Sequence, residues 1–164
     1  MPIDGIRQAD ESDVEQLHAL LQAAFVSQAR ELELTSEDAP WHTAYRDISN
    51  TEREMGYMTF YLLIADGHPA GCIAIQNDVE PLYGGDGYIG RVAVHPEYRG
   101  RGYAQLMLRF AETALRDRGA TKVRLVVLSV LSDLVEFYAR QGYEAVGHRE
   151  FKGFALTDMD RSLV

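Results

Sequence analysis

RVAVHPEYRGRGYAQLMLRFAE, residues 91–112, joins a strand-like run to a helix-like run through a turn rich in glycine and arginine. The apolar run ends at Val94, Pro96 follows, and Gly100 and Gly102 stand before the helical pattern. A residue without Cβ leaves room for the backbone to approach a ligand closely. The first turn of a helix presents unpaired N–H groups and partial positive charge, which favour anions. The stretch therefore predicts a strand, a turn that binds a phosphate pair, and a helix.

The sequence on either side predicts further strands and helices by its apolar periodicity. In chain order these are a strand in MPIDGIRQA, a helix in SDVEQLHALLQAAF, a less regular helical piece within residues 26–56, strands in YMTFYLLIA, CIAIQNDV and YIGRVAV, the central helix ending at Gly119, a strand in KVRLVVL, a helix in SDLVEFYARQ, and strands in YEAVGHRE and FALTDMDRSLV. Ser12 and Glu15 match a capping box for the first helix. A strand, a crossover helix and a parallel strand beside antiparallel neighbours predict a mixed sheet. The fold class is α/β or α+β.

Length and composition narrow the class of protein. A chain of 164 residues, 46% hydrophobic and 25% charged, predicts one globular domain over residues 1–164. The net charge of −9 disfavours nucleic acid as a partner, since a phosphate backbone would be repelled. The single Cys72 cannot form an internal disulfide and reads as a buried thiol in a reducing compartment. Without a leader or an apolar run of membrane length, we expect a soluble, cytoplasmic protein without a membrane partner.

Two linked motifs carry a family resemblance. RGRGYA fits the pattern R/Q-x-x-G-x-G/A, VAVHPEYRG fits its usual lead-in, and EFYARQGYE fits F-Y-x-x-x-G-F/Y one helix and one strand further on. Together they resemble the acetyl-CoA site of the GCN5-related N-acetyltransferases. The resemblance implies acetyl-CoA as cofactor and a mixed, splayed sheet of about six to seven strands flanked by helices. A homodimer is a further expectation from the likeness, although no residue establishes it.

Carried over by position, the resemblance assigns roles to particular residues. Main-chain groups of Val92 and Val94 pair with the pantetheine arm, and the Val94 N–H polarises the thioester carbonyl. Tyr138 lies near the sulfur, as general acid or as a hydrogen-bond donor to the thiolate. The expected cofactor-binding residues are Val92, Ala93, Val94, Arg99, Gly100, Arg101, Gly102, Tyr103, Ala104, Phe137 and Tyr138.

The general base is where this sequence departs from the family. An alkylamine of pKa ~10.4 is protonated near neutral pH, so the reaction needs a base or a water chain leading to one. The family often has a glutamate on the fourth strand, but Gly90 and Arg91 occupy that region here. The nearest acids are Asp78, Glu80 and Asp86, of which Glu80 is the named candidate.

Plainer interpretations exist for each of these residues. Gly100 and Gly102 could only shape a turn, Arg99 and Arg101 could be solvated, and Tyr138 could be a core aromatic on the face of Leu134 and Phe137. His95 fits a turn, and the other histidines lack metal spacing, so no metal is expected. The acidic run from Glu31 to Asp38 reads as a solvated face. A dinucleotide fingerprint fails because the third glycine is missing.

The sequence thus predicts an acyltransferase that moves the acetyl group of acetyl-CoA to a primary amine of a small molecule or peptide by direct attack. One rival is a non-catalytic acyl-CoA-binding or regulatory module, favoured by the missing strand glutamate. A second rival is nucleic-acid contact through RGRG, which the acidic balance disfavours.

Overall fold

The computed structural model describes residues 3–77 and 86–164. Within these residues the strands and helices are β1 (Ile3–Gln8), α1 (Val14–Glu31), α2 (Ile48–Met55), β2 (Thr59–Ala65), β3 (His68–Asn77), β4 (Gly87–Val94), α3 (Tyr103–Asp117), β5 (Lys122–Leu128), α4 (Ser132–Arg140), β6 (Glu144–Phe151) and β7 (Phe154–Ser162). Short 3-10 helices span Glu11–Asp13 and Pro96–Tyr98. Every predicted strand and helix is present, in the predicted order.

The seven strands form one sheet in the order β1-β2-β3-β4-β5-β7-β6. β1 and β2, β5 and β7, and β6 and β7 are antiparallel, whereas β4 and β5 are parallel. The parallel ladder consists of two pairs, Gly87 with Val123 and Tyr88 with Arg124. By contrast, β5 pairs with β7 along its whole length. The predicted mixed and splayed sheet with flanking helices is confirmed.

The chain divides into two compact units, and the first contains the described part of residues 1–74 together with residues 91–109. In this unit α1 turns its apolar face inward, and β2 is buried along most of its length. The fully or nearly fully buried apolar side chains of these two elements are Leu17, Leu20, Leu21, Ala24, Ala29, Phe60, Leu62, Leu63 and Ala65.

The cap that precedes α1 differs from the predicted one. Asp10 accepts a hydrogen bond from the Ser12 N–H at 2.9 Å, and the Asp13 carboxylate accepts one from the Asp10 N–H at 2.9 Å. The capping box therefore belongs to Asp10 and Asp13 around the 3-10 turn, and the prediction of Ser12 with Glu15 was wrong. Arg7 also binds Asp13, with both contacts at 2.8 Å, and this tertiary ion pair favours the earlier start.

Gly71 lets β3, β4 and α3 come close together within the first unit. A Cβ at Gly71 would lie 2.9 Å from the Ala93 carbonyl oxygen and 2.9 Å from the terminal methyl of Met107. Real Cβ atoms do not approach backbone that closely, so any larger residue here would push β4 away from β3. The position of β4, which carries the predicted site, thus depends on the absence of a side chain on β3.

The second unit contains the described residues of 75–90 and residues 110–164. Side chains along β5 alternate, with Val123, Leu125 and Val127 buried. Buried polar groups also bond within this unit: Tyr143 donates to Glu112 at 2.7 Å, and Arg161 contacts the same carboxylate at 2.5 Å. In the part of the chain that the structure describes, no helix is both long and apolar enough to cross a membrane.

Candidate functional site

The turn between β4 and α3 is fixed at its first residue. The His95 N–H donates to the Ala70 carbonyl at 2.8 Å, which ties the end of β4 to β3. The His95 ring accepts a hydrogen bond from the Glu97 N–H at 3.2 Å, at the start of the Pro96–Tyr98 3-10 helix. His95 is therefore a turn residue, as its place before proline indicated.

The two glycines of the turn have backbone conformations that suit glycine. Gly100 and Gly102 both have φ of +78°, and a Cβ at either would meet no atom within 4 Å. The Gly102 carbonyl accepts the Leu106 N–H at 3.1 Å and so begins α3. The space beside both glycines is open, so their role is conformational and leaves the main chain accessible.

Unpaired main-chain donors line this turn. No described residue accepts a hydrogen bond from the N–H groups of Gly100, Arg101, Gly102 or Ala104. These donors lie at the positive end of α3, a helix of 15 residues. Accessible N–H groups at a helix N-terminus are the physical requirement for holding a diphosphate, so the turn fits the phosphate groups of a coenzyme A derivative.

The two arginines of the turn have different partners. Arg99 Nη2 donates to the Ala24 carbonyl at 2.7 Å, so this side chain holds the turn against α1. The Arg101 guanidinium lies 5.1 Å from the centre of the Tyr98 ring, and Tyr98 stacks on the buried Tyr103 at 6.4 Å. The sequence did not decide whether these two side chains bind the cofactor or are solvated. In the structure, Arg99 joins the turn to α1, and Arg101 lies over the Tyr98 ring.

β4 changes backbone conformation at Arg91. This residue has φ of +52°, a left-handed value that non-glycine residues rarely adopt. Its carbonyl accepts a hydrogen bond from the Cys72 thiol at 3.4 Å. Val92 and Val94, the residues expected to pair with the pantetheine arm, follow directly and are half-buried, while Ala93 between them is buried.

A buried ionic cluster lies beside this irregularity, and the sequence interpretation missed it. Arg91 binds Glu54 through Nε and Nη2, and Arg46 binds the same carboxylate at 2.9 and 3.1 Å. Burial raises the pKa of Glu54, but the hydrogen bonds from Arg91 and Arg46 outweigh it and hold the pKa at about 2. The sequence contained a signal for this cluster. Glu54 lies on the buried face of α2 with Thr51, and Arg91 interrupts an otherwise apolar strand, so both charged side chains need a partner.

In the second unit, Tyr138 is buried on α4 between two other aromatic rings. It makes edge contacts with Phe137 at 5.2 Å and with Tyr143 at 5.9 Å. Within the described residues its hydroxyl has no hydrogen-bond partner, although buried tyrosine hydroxyls usually find one. Burial, with a smaller effect of Tyr88, raises the pKa of Tyr138 well above its ordinary value. The phenol therefore stays protonated and able to donate.

The predicted acids do not supply an evident base. Asp78 and Glu80 lie outside the described residues. Asp86 accepts hydrogen bonds from the main-chain and side-chain groups of Thr121, which lower its pKa.

Cys72 is buried, and burial raises the pKa of its thiol to about 12, so it is no acyl carrier at neutral pH. Residues 3–77 and 86–164 contain no cluster of three or more metal-ligating side chains.

Comparison with protein families gives a match over most of the chain. The model of the acetyltransferase (GNAT) family matches residues 16–143. The chain belongs to this family. Its members take the acetyl group from acetyl-CoA, so the chain is an N-acetyltransferase with acetyl-CoA as its cofactor.

Solved structures with this fold are similar over nearly the whole chain. A GCN5-related N-acetyltransferase from Rhodopseudomonas palustris is 21% identical with a TM-score of 0.77, covering 99% of this chain and 98% of its own. The PaiA N-acetyltransferase from Thermoplasma acidophilum, solved with coenzyme A, is 18% identical with a TM-score of 0.76 and 99% coverage of both chains. The ribosomal-protein-S18-alanine N-acetyltransferase from Escherichia coli is 16% identical with a TM-score of 0.75, covering 97% and 93%. At these identities the likeness concerns the GNAT fold.

Proposed function

We propose that this GNAT protein acetylates a primary amine of a small molecule or peptide by direct attack within a ternary complex. Acetyl-CoA supplies a thioester whose carbonyl carbon forms the new C–N bond while the C–S bond breaks and the thiol leaves. The observation that carries the proposal is the set of N–H groups of Gly100, Arg101, Gly102 and Ala104, at the start of α3, from which no described residue accepts a hydrogen bond. We further propose that residues 1–164 act as one acetyltransferase domain.

We propose that acetyl-CoA is bound by the turn between β4 and α3 and by the end of β4. The N–H groups of the turn would hold the diphosphate, with Arg101 beside it and Arg99 keeping the turn on α1. A charge-assisted hydrogen bond contributes about 1.5–3 kcal/mol. Several such bonds would provide much of the ~8 kcal/mol that micromolar affinity requires. Main-chain groups of Val92 and Val94 would align the pantetheine arm, and the Val94 N–H would polarise the thioester carbonyl.

Tyr138 is proposed to stabilise the departing sulfur. A thiol has pKa ~8.5 and an ordinary tyrosine ~10, so proton transfer from the phenol to a thiolate is already uphill. Burial raises the pKa of Tyr138 further, which supports donation of a hydrogen bond over full transfer. Its hydroxyl, without a partner among the described residues, is available for that bond.

The amine must lose a proton before or during attack. Glu80 remains the proposed base and would accept the proton of the amine directly or through water. Asp86 is the weaker candidate because its carboxylate already accepts hydrogen bonds from Thr121. Glu54 is a poor base, since its two arginines hold the pKa at about 2. A homodimer and a cytoplasmic location also remain predictions from the sequence.

The test separates binding from turnover. Calorimetry with acetyl-CoA should give binding at tens of micromolar or tighter, and a panel of primary amines should release free coenzyme A thiol. The alternative, a non-catalytic acyl-CoA-binding module, draws on the absence of a glutamate from β4. Binding without thiol release for any amine would favour that alternative, and no binding would contradict both.

A further inference from the structure

β6 is the last strand of the sheet, and it pairs with β7 on one side only. All eight of its residues are exposed or half-buried. They include two large apolar side chains, Val146 at 51% and Phe151 at 46% exposure. An edge strand presents main-chain donors and acceptors that can pair with a strand of another chain. β6 therefore offers an edge, on the side away from β7, to which a further strand can be added.

The turn between β6 and β7 fixes which main-chain groups face this edge. Lys152 and Gly153 have φ of +53° and +83°, as in a two-residue hairpin turn of type I′. Such a turn is closed by a hydrogen-bonded pair, here Phe151 with Phe154. Hydrogen-bonded and non-hydrogen-bonded pairs then alternate along an antiparallel ladder.

This alternation turns the main chains of His148 and Glu150 away from β7. Glu150 is opposite Ala155, whose carbonyl accepts the Ser129 N–H at 2.8 Å and so faces β5, as the alternation requires. Neither His148 nor Glu150 has another main-chain partner in the part of the chain that the structure describes. Their N–H and C=O groups form the free edge.

A bulge limits the usable length of the edge. The register of β6 against β7 shifts between Ala145 and Gly147. A bulge twists an edge and interrupts pairing, which protects the first part of β6 from association. The regular part, residues 147–151, is named the outer edge of β6 below.

The outer edge of β6 is complementary to itself in only one of its possible registers. Two copies related by a two-fold axis pair antiparallel, with equivalent surfaces in contact. An axis at Glu150 would place two carboxylates opposite each other, and an axis at His148 would place two imidazoles opposite each other. An axis at Arg149 instead places His148 opposite Glu150 of the second copy, twice. Opposite partners of this kind stabilise a ladder, whereas like charges destabilise it.

The other face of the ladder is also compatible with an axis at Arg149. Phe151 would lie opposite Gly147 of the second copy, and an aromatic ring that covers a glycine on the next strand is a favourable cross-strand pair. The two Arg149 side chains would face each other, but each binds its own Asp158 at 2.8 Å, which offsets their repulsion.

We propose that the outer edge of β6 binds the same edge of a second copy of this chain, antiparallel, with the two-fold axis at Arg149. The resemblance gave only the expectation of a homodimer, and this inference assigns it a surface and a register. His148 Nδ1 lies 3.4 Å from Thr157 Oγ1, so Nε2 is the nitrogen that would donate to the Glu150 carboxylate of the second copy. The inference does not depend on the acetyl-transfer reaction.

Charge reversal tests the register. Sedimentation velocity at up to about 500 μM protein should show a reversible dimer, since a short edge forms an interface of the small, transient class. Glu150→Lys should raise the dimer dissociation constant about tenfold or more, because two favourable pairs become unfavourable. Adding His148→Glu to Glu150→Lys restores opposite partners in this register and should return the constant to within about threefold of wild type.

Glu136→Lys is the matched control. It makes the same change in net charge at an exposed position on α4, so it should leave the dimer dissociation constant unchanged. Circular dichroism of each variant establishes that it is folded.

Amide hydrogen exchange tests the surface without any variant. At concentrations that favour the dimer, the main-chain amides of His148 and Glu150 should exchange more slowly than in dilute protein. The Arg149 amide already bonds to β7 and should change less. Protection elsewhere on the chain with no change at His148 and Glu150 would overturn the proposal. A chain that stays monomeric throughout, or a dimer that Glu150→Lys does not weaken, would overturn it as well.

Discussion

Arg91 and Glu54 are joined by an ion pair at the one residue of β4 that has a left-handed backbone. Arg91 Nη2 lies 2.6 Å from Glu54 Oε2, and Nε lies 3.1 and 3.2 Å from the two carboxylate oxygens. Arg91 also has φ of +52°. The ion pair fixes the side chain and thereby stabilises a conformation that costs roughly 1–2 kcal/mol. The path of β4 toward Val92 and Val94 thus depends on a carboxylate from α2.

Removing the charge of Glu54 should destabilise the protein strongly. Glu54→Gln removes the carboxylate charge that the guanidinium groups of Arg46 and Arg91 both bind, and breaking a buried ion pair in this way costs about 3–5 kcal/mol. Urea unfolding followed by circular dichroism measures the loss. The matched control is Glu136→Gln, where both partners are 66% exposed and the change should stay within about 1 kcal/mol. Equal stability of Glu54→Gln and wild type would contradict the role of the cluster.

The contribution of Glu54 should depend on pH in a defined direction. Its pKa is about 2 in the folded protein against an ordinary value of 4.5. Because folding lowers the pKa, the ionised carboxylate stabilises the fold above about pH 4.5, and this contribution is lost as the pH falls toward 2. The difference in unfolding free energy between wild type and Glu54→Gln should therefore shrink from pH 7 to pH 3.

The same difference for Glu136→Gln should stay near zero over that range, which controls for acid effects elsewhere. A Glu54→Gln difference that is constant or grows toward pH 3 would be inconsistent with a lowered pKa.

Gly102→Asp should abolish acetyl-CoA binding. The new carboxylate would stand among the N–H groups of the turn and repel the diphosphate, so we expect a loss of about 100-fold or more in affinity by calorimetry. Gly102→Asn introduces a side chain of the same shape without the charge and should lose distinctly less, since asparagine tolerates positive φ.

Gly153→Asp is the control for backbone conformation. Gly153 has φ of +83° and open space for a Cβ, as Gly102 does, but lies between β6 and β7. Its substitution should leave acetyl-CoA affinity unchanged. If Gly102→Asp binds acetyl-CoA as wild type does, the turn is not the phosphate site.

Tyr138→Phe should slow turnover and spare binding. The hydroxyl has no partner among the described residues, so its removal should change unfolding free energy by less than about 0.5 kcal/mol. A fall in kcat of about tenfold or more with unchanged acetyl-CoA affinity would fit a donor to the leaving sulfur.

Tyr143→Phe, which alters a ring in contact with Tyr138, is the control and should lower stability rather than turnover. Its hydroxyl donates to the buried Glu112, so the variant should lose about 1–3 kcal/mol of stability. Acetyl-CoA affinity should be unaffected.

An unchanged kcat for Tyr138→Phe would remove Tyr138 from the mechanism.

The sequence predicted the elements well because their signals are local. Apolar periodicity located the seven described strands, including β5 at Lys122–Leu128, and the helices α1, α3 and α4, and Gly119 marked the end of α3. α2 was expected only as a less regular helical piece within residues 26–56, and the two short 3-10 helices were not predicted. The cap of α1 was misplaced because Ser12 and Asp10 are equally good caps in isolation. The choice between them depends on Arg7, which lies on β1 and forms an ion pair with Asp13, the partner of Asp10 in the capping box.

By itself, the sequence determined the turn between β4 and α3. Glycine at 100 and 102 permits the left-handed backbone that exposes the N–H groups, and this property needs no distant contact. Only the tertiary structure decided where the buried charges meet. Glu54 and Arg91 are 37 residues apart, and their pairing follows from how α2 packs near β4. A charged side chain in an apolar pattern signals that a partner is needed, but the folded packing selects which one.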